Sequence, residues 1–202
     1  MLTIEQKQIR LGLFCGSENY KLMGAKGLGQ TGETYILEKA AEFLTGQPAK
    51  PEFNAASTDW GNKYEPDAKL HFESASGIKI LEASTLENGL ICGTPDGLLD
   101  GIQTGIEIKC PYDSTNHLKN LLIENQDQLK DVRKEYYWQI ISYMWLTGFK
   151  SWKFCSYDPR FSDEKRMLII NVSMNEADLK LLQDRVKQAK EIFDSIIKAL
   201  AA

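Results

Sequence analysis

The segment GIEIKCP, Gly105 to Pro111, sets a carboxylate and an ammonium one residue apart in an otherwise apolar run. Ionised groups are rarely placed in a core without a partner or a task. Residues i and i+2 of a strand share a face, so Glu107 and Lys109 point the same way while the Ile108 side chain points into the core. The Ile108 carbonyl lies between them and can serve as a further oxygen ligand. One strand earlier, Thr94-Pro95-Asp96-Gly97 supplies a second carboxylate on a bend that can aim it toward Glu107. Two carboxylates and a carbonyl form a hard oxygen site suited to Mg²⁺ or Mn²⁺. Such a site holds metal against a phosphate and helps generate hydroxide. A lysine beside it orients the attacking water and stabilises developing charge. Taken alone, an ExK strand reads first as a salt-bridged face. A PDG bend at strand-turn-strand spacing before EIK is a more specific signal.

Two helical stretches add candidates. GNKYEPDA offers Glu65, which by itself would be a surface glutamate. YYWQIISYMW offers Gln139 in a very apolar helix, either a satisfied core amide or a site residue.

The elements that must position these groups are legible from periodicity and punctuation. Thr3 with Gln6 predicts a capping box for a first helix. Ser17 is placed to cap a second helix through Leu22. Glu33 to Thr45 has helical apolar spacing and stops at Gly46. Thr58 to Glu73 predicts a helix bent or interrupted at Pro66. Short Ile- and Leu-rich runs at 78–83, 89–92, 97–99 and 106–110, separated by glycines, predict a meander of antiparallel strands. A helix over 135–146, strands over 152–157 and 167–173, and a long final helix complete the chain. Ser173 with Glu176 predicts a second capping box at the start of that helix. Its apolar stripe runs through Leu179, Leu182, Val186, Ala189, Phe193, Ile196 and Leu200. The class is α+β, a central mixed β-sheet flanked by helices.

The chain has 202 residues, 43% apolar and 26% charged, which suits one soluble domain spanning residues 1–202. No apolar run can span a bilayer, and the first residues lack the features of a signal peptide, so a cytoplasmic location is expected. A net charge of −4 argues against coating nucleic acid non-specifically, not against an enzyme whose cations line one groove. Cys15, Cys92, Cys110 and Cys155 lack the close spacing of a zinc or iron–sulfur site and read as small buried hydrophobes.

In order along the chain, GNKYEPDA, CGTPDG, GIEIKCP and YYWQIISYMW resemble the phage lambda exonuclease family of YqaJ-type viral recombination nucleases. These belong to the PD-(D/E)XK superfamily, with a restriction-endonuclease-like core. The resemblance covers Arg10 to the end of the last helix and includes SWKFCSYDPRF. It implies Mg²⁺-dependent, processive 5′ to 3′ digestion of one strand of double-stranded DNA from an end. Two metal ions per site, a ring-shaped homotrimer around the DNA and a single-strand annealing recombination partner are also implied. By motif, Glu65, Asp96 and Glu107 would lie at the metals with the Ile108 carbonyl, and Lys109 and Gln139 would position the water. Arg10 and Ser17 match the residues that hold the 5′-phosphate, a role that a forked guanidinium and a hydroxyl at a helix start also suit. Where the family has a further arginine, ten residues after the serine, this chain has Gly27. The adjacent Lys26 is the expected substitute, gripping as a point charge.

Two other enzyme readings share this core, an endonuclease that cuts internally and an iron–sulfur exonuclease. The phosphate pocket opposes the first and the cysteine spacing the second. A non-enzyme reading is a DNA-binding assembly module with an inactive nuclease core. It gives no reason for keeping Asp96, Glu107 and Lys109 together.

Overall fold

The structure, a computed structural model, describes residues 3–50 and 56–201. Helix α1 (Ile4–Ile9) opens with the expected box: the Gln6 N–H donates to the Thr3 hydroxyl, and the Thr3 N–H to the Gln6 side chain. Strand β1 (Phe14–Cys15) leads into a 3-10 helix, Gly16–Leu22, and then α2 (Gly29–Thr45). Ser17 does not cap. The tighter helix starts at Gly16, which leaves Ser17 inside its first turn with its hydroxyl free to meet Arg10.

Helix α3 (Ala56–Ser76) continues through Pro66, so of the expected bend or interruption the interruption does not occur. The proline deprives only the Asn62 carbonyl of its helical partner, and Asn62 lines a polar cavity.

The next strands are β2 (Ile80–Leu81), β3 (Leu86–Glu87), β4 (Ile91–Gly93), β5 (Gly97–Leu99) and β6 (Thr104–Lys109). They are followed by α4 (Ser114–Leu121), α5 (Gln126–Val132), α6 (Lys134–Thr147), β7 (Ser151–Tyr157), β8 (Met167–Ser173) and α7 (Glu176–Leu200). The expected single meander is divided. One sheet has the order β2-β5-β6-β7-β8, and a smaller one the order β1-β4-β3. Pro95, between β4 and β5, has no N–H to continue a ladder, so the chain changes sheet there. Within the larger sheet β6 and β7 pair in parallel, which requires the crossover through α4, α5 and α6.

Strand β6 has two faces with different tasks. Ile106 and Ile108 pack with Ala68 and Phe72 of α3, Leu99, Cys155 and Tyr157. The opposite face carries Gly105, Glu107 and Lys109. A Cβ on Gly105 would stand 2.2 Å from the Trp152 ring, so only glycine admits that indole. The larger core joins Tyr137, Ile140, Ile141, Tyr143 and Met144 of α6 to Trp152, Phe154 and the α7 stripe. Each such side chain contributes about 1.5–3 kcal/mol when fully buried. Leu182, Val186, Ala189 and Phe193 of the predicted stripe are buried, whereas Leu200 is exposed. The expected Ser173/Glu176 box is absent: Ser173 ends β8, and Asn175 caps α7 by accepting from the Ala177 and Asp178 N–H groups. Cys15, Cys92 and Cys155 are buried as free thiols, and Cys110 is half-buried.

Candidate active site

The register Gly97↔Ile106 brings the residue before β5, Asp96, alongside Glu107. The ladder ends there, and Asp96 Oδ2 takes over by accepting from the Ile108 N–H at 2.6 Å. Within one extended residue N–H and C=O project to the same edge, so the Ile108 carbonyl also faces the Asp96 side, away from β7. Sequence alternation and the bend thus deliver the two carboxylates and the carbonyl to one place.

Glu107 is 0% exposed. The Lys109 ammonium forms an ion pair with its Oε1, yet neither carboxylate oxygen has a well-aligned hydrogen bond. Burial, and next the charge of Asp96, push the Glu107 carboxyl up to about 8. Asp96 is also raised, first by burial, with Lys109 opposing and Glu65 reinforcing. Burial alone would depress the Lys109 ammonium, but Glu107 and Asp96 outweigh it and hold it above its ordinary range. Two buried carboxylates crowded beside one lysine form a site short of positive charge. A hard divalent cation satisfies that shortage, so the residues present fit Mg²⁺.

Glu65, from α3, stands further off. It pairs with Lys69 at 2.8 Å and shares a cavity of about 510 Å³ with Asp96, Asn62, Glu82 and Thr94. Among the described residues no three His, Cys, Asp or Glu side chains converge tightly enough to hold a metal ion. Asp96, Glu107 and the Ile108 carbonyl are therefore the groups that would hold a cation, and Glu65 lines the cavity beside Asp96. Lys109 lines a second cavity of about 340 Å³, with Cys110, Tyr112, Asn116 and Tyr136.

Helix α6 brings Tyr136, Gln139 and Tyr143 to one face by their spacing. The Lys109 ammonium lies 5.4 Å from the Tyr136 ring centroid. Gln139 is buried, and its Nε2 donates to the Tyr143 hydroxyl at 2.9 Å. Burial first, then the charges of Glu107 and Asp96, raise the Tyr143 hydroxyl pKa, which places that side chain within their field.

Arg10 and Ser17 come together as expected: Arg10 Nη2 donates to Ser17 Oγ at 3.2 Å. A cavity of about 180 Å³ beside them is lined by Lys7, Arg10, Cys15, Glu18, Lys39 and Glu42. The expected Lys26 is not in its wall. It is exposed on a turn closed by the Gly24–Gly27 bridge. The buried cation there is Lys39 of α2, 4% exposed, with Nζ 2.9 Å from Glu42 Oε2 and 3.6 Å from Cys15 Sγ. Beside Gly27 itself stands Arg185, whose Nη1 would lie 3.5 Å from a Cβ at that position. The Cys15 and Cys92 sulfurs touch at 3.5 Å. The Cys15 thiol is lowered, chiefly by its hydrogen bond with Cys92 and further by Arg10 and Lys39. Lys39 and Tyr143 were not singled out from sequence. The available signal for Lys39 was its place on the buried stripe of α2, between Tyr35, Ile36 and Ala40.

A mixed sheet flanked by helices, with Asp96, Glu107 and Lys109 at the end of its paired strands, is the PD-(D/E)XK nuclease fold. Residues 5–150 match the YqaJ-like viral recombinase domain, and the chain belongs to that family. Its structure is similar to an alkaline exonuclease from Laribacter hongkongensis, with a TM-score of 0.84 and 24% identity over 98% of this chain and 96% of that one. The same enzyme in complex with dAMP matches equally. A phage-related exonuclease from Haemophilus somnus 129PT follows with a TM-score of 0.77 and 19% identity, covering 97% and 99%. No curated protein sequence matches the chain. Among the described residues no helix is long and apolar enough to cross a membrane.

Proposed function

We propose that the chain, one nuclease domain over residues 1–202, degrades one strand of linear double-stranded DNA 5′ to 3′ from its end. Mg²⁺ is the cofactor and Mn²⁺ can replace it. The carrying observation is the fully buried Glu107 carboxylate, ion-paired with Lys109 and crowded by the charge of Asp96. Asp96, Glu107 and the Ile108 carbonyl would hold metal, with Glu65 at the edge of the site. When bound, the metal supplies polarisation of the scissile phosphate and a water of lowered pKa. Lys109 presents its ammonium to the water and to developing charge, and Gln139 orients the water through its amide. Arg10 and Ser17 receive the 5′-phosphate, with Lys39 as the adjacent buried cation. Family membership supports the recombination setting, in which a homotrimer encircles the duplex and a single-strand annealing protein takes the exposed strand.

The test is digestion of linear duplexes bearing 5′-phosphate or 5′-hydroxyl ends, beside closed circular DNA, with Mg²⁺ or EDTA. Mg²⁺-dependent loss of the linear 5′-phosphorylated strand is expected. Cutting of the circle would replace this reading with an endonuclease. Sedimentation at working concentration tests the trimer, and a monomer removes it.

A further inference from the structure

Tyr143 touches three parts of the site at once. Its hydroxyl accepts from Gln139 Nε2 at 2.9 Å and donates to the Thr94 carbonyl at 3.2 Å. Thr94 lies two residues before Asp96. The ring sits against two glycines: a Cβ on Gly93 would stand 2.3 Å from Tyr143 Cε1, and one on Gly16 2.9 Å. Gly93 precedes the bend that carries Asp96, and Gly16 precedes Ser17. Both neighbours are therefore reduced to backbone to admit this ring.

A phenolic hydroxyl has one proton to give. With that proton committed to the Thr94 carbonyl, the oxygen can only accept, and it accepts from the amide NH₂ of Gln139. A flipped amide would set carbonyl oxygen against hydroxyl oxygen with no proton between them. The NH₂ is thus held toward Tyr143 and Oε1 is turned the other way. Among the described residues Oε1 takes no hydrogen bond and is left available.

Building on the reading of Gln139 as the group that orients the water, we propose that Tyr143 is a positioning residue for it. Its hydroxyl, anchored on the Thr94 carbonyl, fixes the amide so that Oε1 accepts from the attacking water. The same pair of bonds ties α6 to the bend that bears Asp96. The ring supplies packing and the hydroxyl supplies orientation, so Tyr143→Phe separates the two.

The experiment is single-turnover digestion of a 5′-phosphorylated linear duplex with Mg²⁺ by the wild type, Y143F, Q139L and the double variant. Y143F is expected to slow the rate on the order of tenfold, since small misplacements of a reacting group are costly, while the enzyme concentration giving half-maximal rate is unchanged. The double variant is expected to be no slower than Q139L alone, because the hydroxyl acts only through the amide. Wild-type rates in Y143F overturn the proposal, as does a double variant whose loss is the product of the two single losses. An inactive wild type, or Q139L as fast as wild type, overturns the underlying reading of the site, and neither result involves Tyr143.

Discussion

Replacing Glu107 with glutamine should stabilise the metal-free protein while abolishing hydrolysis. The wild-type carboxylate is fully buried without an aligned hydrogen bond, and its pKa rises from 4.5 to about 8. That interval corresponds to about 5 kcal/mol of cost for carrying the ionised group into the fold. Glutamine avoids that cost, which already includes the attraction to Lys109, but it buries an amide where the carboxylate stood and leaves Asp96 as the ammonium's remaining acidic neighbour. A net gain of about 1–3 kcal/mol at pH 9 should remain. Across the 202 residues this raises Tm by roughly 3–10 °C. The sign follows from proton linkage. Folded Glu107 binds its proton more tightly than the unfolded chain does. The wild type is therefore best placed relative to the variant below pH 4.5. It loses ground as pH rises toward about 8, and the gap is constant above that. Thermal unfolding of both proteins in EDTA from pH 4 to 9 measures the gap. Added Mg²⁺ should then raise the Tm of the wild type and not of the variant. A variant less stable than wild type at pH 9 without metal, or two parallel curves across the window, refutes the reasoning.

Lys109→Ala should reduce hydrolysis by roughly a thousandfold while Mg²⁺-dependent binding of DNA ends persists, measured by digestion and by fluorescence anisotropy. Normal digestion by this variant would remove Lys109 from the mechanism. Gly93→Ala drives a methyl into the Tyr143 ring, 2.3 Å away. It should cost about 1–3 kcal/mol in urea unfolding and slow digestion together. Lys39→Met should narrow the difference in digestion rate between 5′-phosphate and 5′-hydroxyl ends. An unchanged ratio would show that Lys39 does not serve the phosphate. Asp178 accepts from the Tyr137 hydroxyl at 2.7 Å and from Lys130 at 2.8 Å, fastening α7 to α5 and α6. Asp178→Ala should cost about 1–3 kcal/mol by stranding that buried hydroxyl, with the digestion rate per folded molecule unchanged.

Local chemistry determined much of this protein. The alternation in GIEIKCP fixed which side of β6 would bear Glu107 and Lys109. The Thr3–Gln6 box fixed the start of α1, and Gly46 and Gly148 the ends of α2 and α6, because each of these signals acts within one or two turns of chain. The motifs in order were enough to reach the family. Tertiary structure decided what depends on groups far apart in the chain. Sequence spacing could not show that Pro95 divides the strands between two sheets, nor that Asn175 rather than Ser173 caps α7, since either residue could have supplied the acceptor. It named Lys26 as a companion to Arg10 and Ser17 because Lys26 is near Gly27 in the chain. The fold lined the cavity beside that pair with Lys39, because the packing of α2 brings Lys39 against Cys15. Gln139 could have been a satisfied core amide. Packing of α6 against Gly16 and Gly93 seats Tyr143 where it holds the amide nitrogen and leaves the oxygen free.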